Sequence, residues 1–211
     1  QFCTKPGVVF IPGDGGMVDA VRALELPPSE PMVAERLAES FAAGTAALQQ
    51  HAGVEVVRAG NGLPQSIVFA TDLDHVRADH ELLLRECFGP STVLVRYSAL
   101  DDVREFLRGI DGQLTGTVIG VENDDVSDLI EVLADRCGRV LWNSWPTGVS
   151  VTYAQQHGGP YPATSLDSST SVGTAAVERW LRPVSFQNMP DSLLPAAVRD
   201  ANPWLVPQQR R

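Results

Sequence analysis

Cysteine is scarce in this 211-residue chain, and the three present, Cys3, Cys87 and Cys137, form no C-x-x-C pair. An odd, widely spaced set of thiols makes no disulfide framework and fits a reducing compartment, so the cytoplasm is the expected location. Basic residues are also few: 16 Lys and Arg stand against 26 Asp and Glu, giving a formal charge of −10 and a pI near 4.8. A nucleic-acid surface needs clustered Lys and Arg to displace counterions, so no nucleic-acid partner is expected. The closing pair Arg210-Arg211 reads as solvated tail. No run approaches the roughly 20 apolar residues of a membrane span. The N-terminus has no basic stretch leading into an apolar one, so neither an anchor nor a signal peptide is expected.

Several motifs are missing as well. The turn Gly13-Asp14-Gly15-Gly16 fails as G-x-G-x-x-G because Val18 stands where the last glycine belongs, and no G-K-[ST] follows for a Walker loop. G-x-S-x-G is absent, which leaves His157-Gly158-Gly159 as a tight turn rather than the oxyanion loop of that hydrolase class. His75 and His80 are five apart and point to different helix faces, and Asp72, Asp74, Asp79 and Glu81 read as a solvated helix start and loop. No metal site is expected.

The chain does contain a large apolar fraction, 44%, enough for one sizeable core. Val8 to Ile11 reads as a strand closed by Pro12-Gly13. Val33, Leu37, Phe41 and Leu48 mark a helix from Pro31 onward. Strands are expected at Val54 to Arg58, Ser66 to Phe69, Thr92 to Tyr97, Leu114 to Val121 and Val140 to Trp142. Between them lie a polar helical stretch from Asp72 to Leu84, a helix through Leu100, Val103, Phe106 and Leu107, and another through Val126, Leu129, Ile130 and Leu133. Asp124 or Asp125 is placed to cap this last helix and Gly138 to end it. Alternation of this kind implies crossover connections, so the expected fold is α/β, a mainly parallel twisted sheet flanked by helices. From Asn143 to Thr170 the texture turns to Pro, Gly, Ser and Thr, a long irregular stretch of the sort that lines a site. A helix from Val172 to Leu181, a strand from Val184 to Gln187 and a Pro-rich tail close the chain.

Cys3 is the strongest nucleophile candidate, since a thiol is the best neutral-pH nucleophile among side chains and Lys5 nearby would favour its thiolate. Cys87 and Cys137 sit beside apolar residues and read as small core hydrophobes. The opening Gln1-Phe2-Cys3-Thr4-Lys5-Pro6-Gly7 resembles the G-Q-x-C nucleophile motif of aldehyde dehydrogenases, and Glu86-Cys87-Phe88-Gly89-Pro90 resembles their E-x-F-G-P motif, in the same order and at a fitting distance. The stretches Gly138 to Val149 and His157 to Thr164 are similar to one subgroup, the 2,5-dioxovalerate (α-ketoglutaric semialdehyde) dehydrogenases. Thr170 to Thr174 and Arg182 to Pro190 have counterparts there too.

The resemblance implies a catalytic domain at residues 1–170, incomplete because it begins at the nucleophile motif. Residues 171–211 would then hold a C-terminal helix, an oligomerisation strand and a tail. The nucleotide-binding domain would lie upstream of Gln1, a start that is not Met and reads as a cut or processing site. Cys3 would attack the aldehyde carbon, pass hydride from the thiohemiacetal to a nicotinamide, and leave a thioester for water to hydrolyse. Glu86 would bind the nicotinamide ribose, with Phe88 packed beside it, while Phe2, Thr4, Trp145, Pro146, Thr147 and His157 would line the aldehyde tunnel. The cofactor, NADP or NAD, would be bound mainly by the upstream part, where the family's general-base Glu and oxyanion Asn also lie. Arg85-Glu86 replaces the Glu-Glu of relatives and leaves the ribose-facing carboxylate in place. A small aldehyde, 2,5-dioxopentanoate in the subgroup, and further copies of the chain, joined through the C-terminal strand, are the expected partners. Two other readings stand beside this one: a non-enzymatic interaction domain that keeps the fold and assembly surface, and cofactor-free thiol chemistry at Cys3.

Overall fold

Every strand in the first 142 residues that alternation and turn residues imply is present in the computed structural model. It describes residues 2–209, so Gln1 of the nucleophile motif and the Arg210-Arg211 tail lie outside the described residues. The elements run β1 (Val8–Pro12), α1 (Met17–Ala23), α2 (Glu35–Gln50), β2 (Glu55–Ala59), β3 (Ile67–Asp72), α3 (Leu73–Ala78), α4 (His80–Leu83), β4 (Ser91–Tyr97), α5 (Leu100–Arg108), β5 (Gln113–Val118), α6 (Ser127–Arg136) and β6 (Cys137–Trp142). They form a four-stranded sheet in the order β1-β4-β3-β2 and a two-stranded sheet, β5-β6. The β1–β4, β3–β4 and β5–β6 pairs are parallel and β2–β3 is antiparallel, so parallel pairing dominates. Parallel neighbours require crossovers, which α3 with α4 and then α6 supply.

The central strands β3 and β4 are apolar on both faces. Phe69, Val76, Leu83 and Val95 are the largest apolar side chains fully withdrawn from solvent. They share one cluster with Val118, Leu129, Val132, Leu133 and Cys137 of the second sheet and its helix. Both sheets therefore belong to one core. At the rim of the first sheet Arg96 bridges β4 to its neighbours, donating from Nε to Asp72 Oδ1 at 2.7 Å and from Nη1 to Glu55 Oε1 at 2.7 Å.

Several local expectations need correction. Val33 lies outside α2 and is exposed; the buried stripe of that helix is Phe41, Thr45 and Leu48. The stretch from Asp72 to Leu84 is two helices, because Asp79 leaves helical geometry and its carboxylate accepts from Leu82 N at 3.3 Å, starting the second. Asp124 does not cap α6; its Oδ2 closes the preceding turn by accepting from Val121 N at 2.8 Å. Gly138 does not stop that helix. It lies inside β6, where a Cβ would sit 2.0 Å from the Gly158 carbonyl oxygen, so only glycine permits that approach. The expected helix from Val172 is a 3-10 segment, Thr174–Trp180, and α1 was not foreseen.

Two compact units divide the chain at Ala176. The second, Val177–Arg211, contains the short 3-10 turns Asp191–Leu193 and Ala196–Val198, and Arg199 Nε donates to Leu194 O at 2.8 Å within it. Residues 184–187 form no hydrogen-bonded strand within the chain, and Val184 and Phe186 are exposed.

Phe69→Ala should cost about 3–5 kcal/mol, since it removes an aromatic ring from a site with no solvent contact; denaturant unfolding will measure it. The Asp72 carboxyl is held below its ordinary value, first by its hydrogen bonds from Arg96. Its contribution is therefore complete above the ordinary aspartate value of 3.8 and lost as pH falls through the depressed one. Arg96→Met should destabilise the protein at pH 7, and the gap from wild type should narrow at acid pH below that ordinary value.

Candidate active site

The segment bearing Cys3 leads directly into β1, and its geometry follows from the β1–β4 pairing. Val8 is in register with Val93, and Val93 N donates to Gly7 O at 3.0 Å, extending the ladder toward Cys3. Thr92 Oγ1 donates to Pro6 O at 3.0 Å. Lys5 Nζ donates to the carbonyl of Ser91, the first residue of β4. The loop from Arg85 to Pro90, which feeds β4, is thereby drawn alongside residues 3–7. Thr4 is buried at 5% exposure while Cys3 on one side of it is exposed, so the backbone is anchored and the sulfur is free.

Lys5 does not act as the sequence implied. Its ammonium is committed to Ser91 O; burial pushes its pKa down, and its electrostatic interactions with Cys87 and then Glu86 oppose that shift. The group at the Cys3 sulfur is His157, whose Nε2 lies 3.4 Å from Sγ. The reason is topological, since Lys5 is half-buried against the sheet whereas the sulfur faces the irregular stretch.

That stretch is seated by close backbone contacts. Besides the Gly138–Gly158 approach, Gly159 has φ +154°, and Gly112 N donates to Tyr161 O at 3.2 Å. Residues 158–161 thus lie across the starts of β5 and β6. His157 N donates to Thr170 Oγ1 at 2.9 Å, and its carbonyl accepts from Ser171 N and Ser171 Oγ, each at 3.0 Å. His157 Nδ1 is buried and has no hydrogen-bond partner among the described residues. Leaving a buried polar group unsatisfied costs about 1–3 kcal/mol.

The other expected site residues divide. Trp145 and Phe2 are exposed at 68% and 66%, Thr147 is half-buried and Pro146 is buried. The turn that carries Trp145 to Thr147 is fixed by Arg139, which donates from Nη2 to Pro146 O at 2.6 Å and from Nη1 to Gly148 O at 2.9 Å. Glu86 is exposed and Phe88 half-buried in the loop drawn beside Lys5. An open cleft of about 320 Å³ is lined by Cys137, Gly138, Gln156, Gly159, Pro160, Asp167 and Ser168, and includes neither Cys3 nor Glu86. Sequence reasoning missed Arg139 and the clamp by Thr170 and Ser171 as positioning groups. No periodicity or spacing announces either. Among the described residues no group of three or more His, Cys, Asp or Glu could hold a metal ion, and no helix is long and apolar enough to cross a membrane.

An exposed thiol anchored beside an exposed carboxylate loop, with an imidazole on the sulfur, is an arrangement suited to covalent capture of a carbonyl. No family model matches the chain. Two relatives do. The α-ketoglutaric semialdehyde dehydrogenase 2 of Azospirillum brasilense is 38% identical over 222 residues, a match covering 100% of this chain and 42% of the relative. The chain matches the C-terminal part of the aldehyde dehydrogenases. The α-ketoglutaric semialdehyde dehydrogenase of Acinetobacter baylyi is 37% identical, across 96% of this chain and 41% of its own length. The chain thus spans well under half the length of these two relatives. Solved structures agree on the fold: the Δ-pyrroline-5-carboxylate dehydrogenase of Mycobacterium tuberculosis superposes with a TM-score of 0.65 at 17% identity, over 89% of this chain and 39% of that one. A salicylaldehyde dehydrogenase from Pseudomonas putida G7 gives 0.62 at 17% identity, over 89% and 41%.

The three thiols should react in order of access. Cys3 is exposed, Cys87 is half-buried with its sulfur 3.8 Å from Phe41 O, and the Cys137 thiol is buried and pushed up to about 11. Brief iodoacetamide treatment at pH 7 followed by peptide mass spectrometry should find Cys3 labelled first and Cys137 last. Labelling of Cys137 before Cys3 would contradict the geometry.

Proposed function

We propose that this chain is the catalytic portion of an NAD(P)-dependent aldehyde dehydrogenase, with Cys3 as its nucleophile and residues 1–170 as the catalytic domain. The observation that carries the reading is an exposed Cys3 sulfur on a backbone tied to β4, in a chain matched along its length by two semialdehyde dehydrogenases. The Cys3 sulfur adds to the aldehyde carbon, and the carbonyl oxygen takes up a proton, giving a thiohemiacetal. Loss of hydride from that carbon and of the hydroxyl proton to solvent gives a thioester, which water cleaves to the carboxylic acid and the free thiol. A bound nicotinamide supplies the hydride acceptor.

The residues present fit that cofactor's ribose. Glu86 offers an exposed carboxylate, a pure acceptor for paired hydroxyls, and Phe88 an apolar face beside it. NADP and NAD both remain compatible with these contacts, because the adenosine end would be held by residues outside this sequence. Phe2, Thr4, Trp145, Pro146, Thr147 and His157 are assigned to the aldehyde passage. The names of the relatives favour a dicarboxylic semialdehyde, 2,5-dioxopentanoate, as the substrate. Assembly through residues 184–187 is the proposed mode of oligomerisation, supported by the exposed Val184 and Phe186. Such edge pairing needs only free backbone groups on both sides. Three free thiols favour the cytoplasm.

Residues 1–211 alone should oxidise no aldehyde. The same chain joined to its upstream nucleotide-binding part should reduce NAD or NADP with 2,5-dioxopentanoate. Cys3→Ala in that full enzyme should abolish the reaction, a loss of at least about 10³-fold in kcat. Glu86→Gln should raise KM for the cofactor with a smaller change in KM for the aldehyde. Aldehyde oxidation that survives Cys3→Ala would overturn the proposal.

A further inference from the structure

We infer that Thr170 is a positioning residue for the Cys3 nucleophile, acting through the backbone of His157; the inference rests on Cys3 being the nucleophile, as proposed above. An imidazole can take or give a proton at a thiol only if one ring nitrogen is aimed at the sulfur. His157 Nε2 has that aim, at 3.4 Å from Sγ. In such pairs the second ring nitrogen is ordinarily bound by a side chain or carbonyl that fixes the tautomer and the ring rotation. Here Nδ1 is buried and finds no such partner among the described residues. The ring itself is not tethered, so its aim is set by the main chain that carries it.

That main chain is held at both ends of residue 157. Its N–H donates to Thr170 Oγ1, and its carbonyl accepts twice from Ser171. The Thr170 hydroxyl is 4% exposed at the residue level and is used to capacity. It donates its one hydrogen to Val172 O at 2.6 Å and accepts from both His157 N at 2.9 Å and Val172 N at 3.3 Å. One donor and two acceptor sites are all that a hydroxyl has, so its orientation is fixed, and with it the position of the His157 amide. Two glycines follow His157 directly, and glycine restrains its own torsions least of all residues. Thr170 supplies from across the loop the restraint that Gly158 and Gly159 do not.

The test is the rate of Cys3 carbamidomethylation by iodoacetamide at pH 7 in the 211-residue chain, read on the Cys3 peptide by mass spectrometry. Thermal unfolding of each variant establishes that it is folded. His157→Gln and Thr170→Val should each slow the reaction about tenfold. Thr170→Ser, which keeps the hydroxyl, should restore a rate within about twofold of wild type. Thr170→Val added to His157→Gln should slow the reaction no further, because both changes remove the same effect. A wild-type rate in folded Thr170→Val, failure of Thr170→Ser to restore the rate, or multiplied losses in the double variant would overturn the inference. If Thr170→Val does not fold, Ser171→Ala at an exposed position carries the test. It should slow labelling about threefold in wild type and not at all in the His157→Gln background. An unchanged rate in Ser171→Ala overturns the clamp. Failure of the underlying reading shows separately, as aldehyde oxidation by the full enzyme that persists after Cys3→Ala.

Discussion

The parallel pairing of β1 with β4 is the constraint on which the site depends. Residues 3–7 and the loop from Arg85 to Pro90 are some eighty positions apart in sequence, and each precedes one of those strands. Once Val8 is in register with Val93, the two approaches must run side by side. Lys5 to Ser91 and Thr92 to Pro6 then extend the ladder by side chains where backbone pairing gives out. A nucleophile needs an exposed sulfur on a rigid backbone, two demands that conflict in a loop. Burying Thr4 and Lys5 while leaving Cys3 outside reconciles them.

Charge is distributed with the same economy. Lys5 brings a cation to the start of β4, and burial alone would favour its neutral form. The Cys87 and Glu86 side chains oppose that shift, so the ammonium joins the Glu86 loop to the Cys3 segment electrostatically as well as by its bond to Ser91. A lysine placed so is spent on structure. The imidazole of His157 is the group that meets the sulfur, and it comes from the irregular stretch after β6.

Much of this was legible in the sequence and some was not, for reasons that differ by element. Strands β1, β3 and β4 announce themselves because β-branched runs are bounded on one side by Pro, Gly or Asp. The Glu86 loop was found by motif, and its nearness to Cys3 follows from topology that a parallel sheet implies. Helix α1 escaped because it is only seven residues long and none is fully buried, Val18 and Val21 alone packing partly against the core. Gly138 misled because a glycine after a helical run is the ordinary sign of a helix end, whereas here it makes room for the Gly158 carbonyl. Thr170 and Arg139 bind backbone atoms of a loop without period. Contacts of that kind leave no trace in residue spacing, since the partner of each is a carbonyl or amide that every residue possesses.

The distance between sulfur and imidazole is set by parts of the protein far from both. Cys3 is tied to the four-stranded sheet through β4, and His157 to the two-stranded sheet through the Gly138–Gly158 contact and the Gly112–Tyr161 hydrogen bond. At the site itself the sulfur–nitrogen contact links the parts held by the two sheets, and it is too weak to impose their spacing. What does impose it is the shared core, where Val118, Leu133 and Cys137 pack in one cluster with Phe69 and Val95. Interiors packed to that density transmit small displacements rather than absorb them. Cys137, at the start of β6 and buried in that cluster, is one of the side chains that hold β6 in place against the first sheet.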